Sequence, residues 1–112
     1  MVRIVAFVRP HLLESVQTAV GALGVTGMTV ADVRGRGVSP EATFWQGSEP
    51  GVLALPIVAR IETVVTEELR DETVDAIVAA ARTGEHGDGK IFVEPVLDAV
   101  RIRTGERGDP AA

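Results

Sequence analysis

The sequence predicts an α+β domain of the ferredoxin-like kind, a βαββαβ sandwich in which two helices cover one face of a four-stranded sheet. Three observations carry this expectation. Four short segments are rich in β-branched residues at strand length. Two longer segments repeat their apolar residues at helical spacing, one after the first strand and one after the third. Between the second and third strands, from Arg34 to Pro56, the apolar period fails altogether.

VRIVAFV (Val2–Val8) is the first strand. Both of its alternating sets are partly apolar: Val2, Ile4, Ala6 and Val8 on one side, Val5 and Phe7 on the other. Helices on one face leave the second face open, so that face is expected to bury itself against further copies of the chain. Pro10 opens a helix on which Leu12, Leu13, Val16, Ala19, Val20 and Leu23 recur at helical spacing, with Gly24 as its stop. MTVADV (Met28–Val33) is the second strand. The stretch from Arg34 to Pro56 holds four glycines and three prolines, and loops of that length inside a compact domain are either functional or disordered. IVARIETVV (Ile57–Val65) is the third strand, with Arg60 and Glu62 on one face. Thr66 is placed as an N-cap, with Glu67 and Glu68 in the first turn, where the helix dipole favours anions. Val74, Ile77, Val78 and Ala81 line one helical face. KIFVEPV (Lys90–Val96) is the fourth strand, interrupted by Pro95; AVRIRTG (Ala99–Gly105) is expected to run on extended, and Glu106–Ala112 to be loose.

At 112 residues and 46% apolar content the chain is long enough for one cored domain. A net charge of −5 argues against non-specific nucleic-acid binding. The absence of cysteine removes disulfides and thiolate metal sites. No apolar run reaches the length of a membrane span, and MVRIVAFVRPH is too short and too charged for a signal peptide, so a cytoplasmic protein is expected, with any membrane association arising by recruitment to a transporter.

The sole lysine, Lys90, ends the glycine-rich run Gly84-Glu85-His86-Gly87-Asp88-Gly89-Lys90. That run fits G-x-x-x-x-G-K, the front of a phosphate-binding loop. Two features exclude a P-loop NTPase: Ile91 stands where a magnesium-holding hydroxyl belongs, and a helix precedes the loop while a strand follows it. The physics of the loop survives the failed motif. Glycines let backbone N–H groups turn toward an anion, and a lysine adds a point charge. The bland reading is a flexible connection with a solvated lysine. Arg101 and Arg103, alternating along an extended segment, share a face and are expected to complete a phosphate clamp, within one chain or across a subunit boundary.

Three stretches, GVTGMTV (Gly24–Val30), TGEHGDGKIFV (Thr83–Val93) and VRIRTGE (Val100–Glu106), closely resemble the PII signal-transduction family, the nitrogen regulatory P-II proteins. The resemblance runs end to end over a single domain, residues 1–112. It implies a homotrimer whose sheets turn toward the centre, with ATP and ADP competing for the clefts between subunits. It implies that the Gly27–Thr29 segment, with Met28 in its middle, surrounds adenine together with Val64, and that the Thr29 hydroxyl bonds the base. Gly35 and Gly37 would line the cleft, Glu62 would lie near the nucleoside, and Phe7 would stand where the family usually has isoleucine. Gly87, Asp88, Gly89 and Lys90 would hold phosphates, joined by Arg101 and Arg103 from the adjacent subunit. Residues 37–56 correspond to the family's T-loop, 83–89 to its B-loop and 102–112 to its C-terminal loop and tail.

The T-loop departs from the family pattern. Ser39 replaces the glutamine that helps hold Mg-ATP and 2-oxoglutarate, and Ile57 or Val58 replaces the lysine that pairs with the 2-oxoglutarate carboxylate. With that charge gone, a dianion is poorly matched there, so neither magnesium nor 2-oxoglutarate is expected as a firm ligand. The chain has no tyrosine to modify. Phe44 and Trp45 are candidate partner-binding anchors in that loop, or else pack against the domain. The resulting expectation is a non-catalytic trimeric sensor with no prosthetic group. It binds ATP, ADP and in some circumstances AMP, and regulates a membrane transporter or metabolic enzyme through residues 37–56. The alternative is a PII-like regulator of bicarbonate transport or carbon metabolism that senses ADP, AMP or cyclic AMP, with Arg36 or Arg60 receiving a small anion. A weak nucleotide hydrolase is the third reading, with His86 as its only acid–base group near the phosphates.

Overall fold

The computed structural model describes residues 1–35 and 55–112. Gly37, Phe44, Trp45 and the rest of residues 36–54, which make up nearly all of the expected T-loop, lie outside the described part.

The element order is βαββαβ, with strands β1 (Val2–Val8), β2 (Thr29–Arg34), β3 (Ile57–Val65) and β4 (Gly89–Pro95), and helices α1 (Leu13–Gly21) and α2 (Arg70–Ala81). The strands form one antiparallel sheet in the order β2-β3-β1-β4, which is the ferredoxin-like arrangement. β1 sits centrally, as its two-sided apolar pattern requires. Arg9 is extended at φ −61°, ψ 135°, the conformation imposed on a residue before proline. Pro10 then begins a short 3₁₀ turn that leads into α1. Gly24, at φ +86°, closes the turn after α1. Thr66 precedes the 3₁₀ turn Glu67–Leu69 as expected, but its side chain makes no capping bond to that turn. The Glu68 carboxyl is held below its ordinary range, first by its own backbone N–H and then by the nearby Thr66 side chain.

The register separates two faces. Val2, Ile4, Ala6 and Val8 of β1, with Ala59, Ile61 and Val65 of β3, face the helices and are buried against Val16 and Val20 of α1 and Ile77 and Ala81 of α2. The odd-numbered side of β1 faces away from the helices. There the cross-strand rows are Thr29–Glu62–Val5–Phe92 and Ala31–Arg60–Phe7–Lys90, with Val64–Arg3–Glu94 on one side and Val33–Val58 on the other. Val5 is only 4% exposed although no helix covers it. The neighbouring Phe7 and Phe92 rings meet edge to face at 6.2 Å. A charge ladder runs over the same face: Arg3 pairs with Glu62 at 3.3 Å and Glu94 at 3.0 Å, and Arg60 pairs with Glu62 at 3.2 Å. The second face is thus partly roofed by its own side chains. Phe92 stays 48% exposed.

The segment after β4 differs from the sequence expectation. Pro95 ends the strand rather than interrupting it, and the Val96 N–H donates to the Met1 carbonyl. Residues 102–104 form a turn, not an extended run, closed by the Gly105 N–H on the Arg101 carbonyl at 2.7 Å. The apolar alternation of Val100 and Ile102 suggests a strand, but Thr104-Gly105 is turn chemistry and prevails: Gly105 is at φ +74° and the Thr104 hydroxyl accepts the Glu106 N–H. Nor are residues 106–112 loose, since Val100 and Arg107 form a bridge and a 3₁₀ turn spans Asp109–Ala111.

Candidate functional site

The glycine loop between α2 and β4 is built around Asp88. Its Oδ2 accepts the N–H groups of Thr83 at 2.8 Å and Gly84 at 2.9 Å, and its Oδ1 accepts the Thr83 hydroxyl and the Arg9 Nε–H at 3.2 Å. Four donors on one carboxylate hold its pKa far below the ordinary aspartate range, with the Thr83 hydroxyl the largest cause and the Thr83 N–H the next. The Asp88 oxygens are occupied within the loop, so its carboxylate braces the loop and any contact with an anion falls to its backbone N–H. Arg9 also donates from Nη2 to the His86 carbonyl at 2.8 Å.

The loop joins the sheet at Gly89, which pairs with Val8. Gly89 is at φ +111°, and a Cβ there would overlap the Phe7 carbonyl. Only glycine lets the backbone approach this closely. The next residue, Lys90, comes out on the open face opposite Phe7. Every other charged side chain on that face has an ion-pair partner: Arg3, Arg60, Glu62 and Glu94 in the ladder, and Arg9 with Asp88. Lys90 has none among the described residues. Below the loop, α2 and the start of β4 enclose a cleft of about 310 Å³, with Val74, Val78 and Ile91 on its apolar wall and Arg82 and Lys90 among its polar lining.

The remaining candidate residues lie elsewhere. Thr29 pairs with Glu62 at the β2–β3 edge, and Val64 lies on the same face. The adjoining Gly27 carbonyl accepts the hydroxyl of Thr63, a residue only 3% exposed, at 2.5 Å. Glu62 is engaged through both oxygens, Oε1 by Arg3 and Oε2 by Arg60. Met28 is half-buried against the core. Gly35 donates its N–H to the Pro56 carbonyl at 3.1 Å, tying the two ends of the undescribed segment together. β2 and β4 are opposite edges of the sheet, so Thr29 and Lys90 are three strand spacings apart across it, about 14 Å, and two residues apart along it.

Arg101 and Arg103 lie past the far end of β4 from Lys90. The Arg101 guanidinium is held by Glu106 at 3.3 Å and by the Pro110 carbonyl at 2.9 Å. Leu97 and Ile102 on that arm are fully exposed. One chain therefore gathers Phe7, Gly87, Asp88, Gly89 and Lys90 at one edge and Gly27, Met28, Thr29, Glu62 and Val64 at the other, and it does not join them. Arg9, Thr63 and Thr83 are the positioning residues that sequence reasoning missed. The Arg9-Pro10 dipeptide was the available signal for the first, because proline sets the direction in which the preceding residue leaves its strand.

Among the described residues no helix is long and apolar enough to cross a membrane, and no group of three His, Asp or Glu side chains could hold a metal ion. Residues 1–106 match the family model for nitrogen regulatory protein P-II. Proteins named nitrogen regulatory protein P-II in Klebsiella oxytoca and Microchaete diplosiphon are each 46% identical to the chain over 112 residues, covering 99% of both partners. Nitrogen regulatory protein P-II 2 of Methanothermobacter thermautotrophicus is 47% identical, covering 99% of this chain and 96% of its own. The match extends through both sheet edges, the glycine loop and the start of the arm, and the chain belongs to the nitrogen regulatory protein P-II family of signalling proteins.

Proposed function

We propose that the chain is a non-catalytic regulatory subunit that binds adenine nucleotides between neighbouring copies and passes their identity to a partner protein through residues 37–56. The observation that carries this reading is the separation of Lys90 from Thr29 and Glu62 across the width of one sheet. Residues that would serve the phosphates and residues that would serve the base form separate groups at opposite edges. A single nucleotide meets both groups when the β4 edge of one copy lies beside the β2–β3 edge of the next. Two further features favour such packing. The arm exposes Leu97 and Ile102 completely, and the open sheet face keeps Phe92 half exposed; apolar area of this kind marks an interaction surface. A trimer satisfies the geometry with one cleft per copy.

Nitrogen regulation is the process named for the relatives, and it is the one proposed for this chain. The bicarbonate-linked alternative gains no support from those names. The family's regulatory role fits a protein without catalysis.

Sedimentation and calorimetry on the full chain test the proposal together. The expected result is a trimer that binds one ATP or ADP per copy and does not turn it over. A stable folded monomer that binds no nucleotide would refute it.

A further inference from the structure

We propose that Arg9 is a positioning residue for the anion-binding loop, acting through Asp88 and the His86 carbonyl. The proposal deepens the nucleotide-binding reading above and rests on it. It begins with register. Val8 pairs with Gly89, so the next step along the two strands sets Arg9 opposite Asp88, on the same open face as Phe7 and Lys90. Pro10 keeps Arg9 extended, so the side chain leaves in strand direction and meets the loop rather than turning with the helix.

From there the guanidinium makes two bonds that a single ammonium cannot make in fixed geometry. Nε–H reaches Asp88 Oδ1 at 3.2 Å and Nη2–H reaches the His86 carbonyl at 2.8 Å. The first bond balances the Asp88 charge two residues before Lys90. Without it, an uncompensated carboxylate would stand where phosphates are to be drawn in. The second bond fixes a peptide plane. The C=O of His86 and the N–H of Gly87 belong to one trans peptide and point in opposite directions. Holding the carbonyl toward Arg9 therefore aims the Gly87 N–H away from Arg9. Among the described residues no hydrogen bond uses the N–H of His86 or Gly87. Arg9 thus leaves loop donors free while Asp88 takes up those of Thr83 and Gly84. Arg9 itself need not touch the ligand.

The test uses R9A, R9K, D88N and the double variant R9A/D88N in the full chain. It reads amide hydrogen exchange without ligand and binding of ATP, ADP and adenosine by calorimetry. The expected result for R9A is faster exchange at Thr83 and Gly84, with α2 unchanged, and at least about tenfold weaker ATP and ADP binding, since hydrogen bonds to charged groups are of that worth. Adenosine binding stays the same. R9K recovers part of both losses, because it restores the charge but not the fork. The double variant loses no more than the worse single variant, because both act through one loop. Full additivity would mean that Arg9 contacts phosphate directly, and would overturn the proposal. So would unchanged exchange in R9A. If R9A fails to fold, R9K decides: exchange and ATP affinity equal to wild type would remove the fork. A wild-type chain that binds no ATP refutes the nucleotide reading instead, and the exchange data, taken without ligand, tell the two failures apart.

Discussion

The hydroxyl of Thr63, on the helix side of β3, donates to the carbonyl of Gly27 in the segment that leads into β2. Thr63 is buried and Gly27 lies at the surface, so the bond pins a surface segment to the core. Thr63→Val keeps the shape and removes the donor. It is expected to lower stability by about 0.5–1.5 kcal/mol, the usual net worth of one intramolecular hydrogen bond. A urea titration reads this directly. If the Gly27–Thr29 segment holds a base, adenosine affinity falls as well.

Gly89→Ala should be far more damaging than an ordinary loop substitution. The new methyl meets the Phe7 carbonyl and demands a left-handed backbone. A cost above about 2 kcal/mol is expected from strain and overlap together, with loss of β1–β4 amide protection at Phe7 and Val8. Gly84→Ala shares the positive φ but meets no atom within 4 Å. It should cost about 1 kcal/mol or a little more. Equal unfolding midpoints for the two variants would contradict this ranking.

Lys90→Ala is expected to weaken ATP and ADP by more than about 1 kcal/mol, because charge-assisted hydrogen bonds contribute about 1.5–3 kcal/mol. Adenosine should bind as before. Equal losses for adenosine and ATP would assign Lys90 to the fold.

Asp88 predicts a pH dependence of stability. Its folded pKa is depressed by Thr83, Gly84 and Arg9. The stability it contributes is therefore complete above its unfolded value, about 3.9, and is lost as pH falls below that toward the folded value. Unfolding midpoints at pH 6 and pH 3 should fall more for the wild type than for Asp88→Asn, which has no carboxylate to protonate. Parallel falls would mean that the Thr83 and Arg9 bonds do not persist in solution.

2-Oxoglutarate should neither bind at physiological concentration nor change ATP affinity. The sheet row nearest residues 36–54 holds Val33 and Val58 on the open face, and Arg60, the nearest cation on β3, is paired with Glu62. Arg34 pairs with Ile57 on the helix side and its guanidinium donates to the Leu55 carbonyl, so on the open face a dianion there lacks a free counter-charge among the described residues, and an unpaired buried charge is costly. ATP-dependent binding in calorimetry would show that Arg36 or another residue of the undescribed segment restores the site.

Most of the architecture was legible because β-branched runs and helical apolar spacing act locally. Val2–Val8 and Ile57–Val65 form the strands the pattern marks, and Val16, Val20, Ile77 and Ala81 fill the core as their spacing requires. What was not legible depends on contacts between distant residues. The motif around Asp88 gives no sign that its carboxylate gathers Thr83, Gly84 and Arg9. Arg101 and Arg103 read as a two-residue alternation, yet the Thr104-Gly105 turn and the Glu106 carboxylate curl the chain around Arg101. Neither outcome follows from local pattern, since each is decided by which donor finds which acceptor after the chain has turned.

The pairing of every open-face charge except Lys90 has a kinetic consequence. Paired charges cancel beyond a few ångströms, so among the described residues the face offers one positive pole on a chain whose net charge is −5. A polyphosphate drifting in from afar meets repulsion first and attraction only within about one Debye length, roughly 8–10 Å in physiological salt. Moderate salt should then shorten the approach by muting the repulsion while leaving the contact at Lys90 in force. Nucleotide association should therefore quicken, not slow, as ionic strength rises from very low values, the reverse of ordinary electrostatic steering.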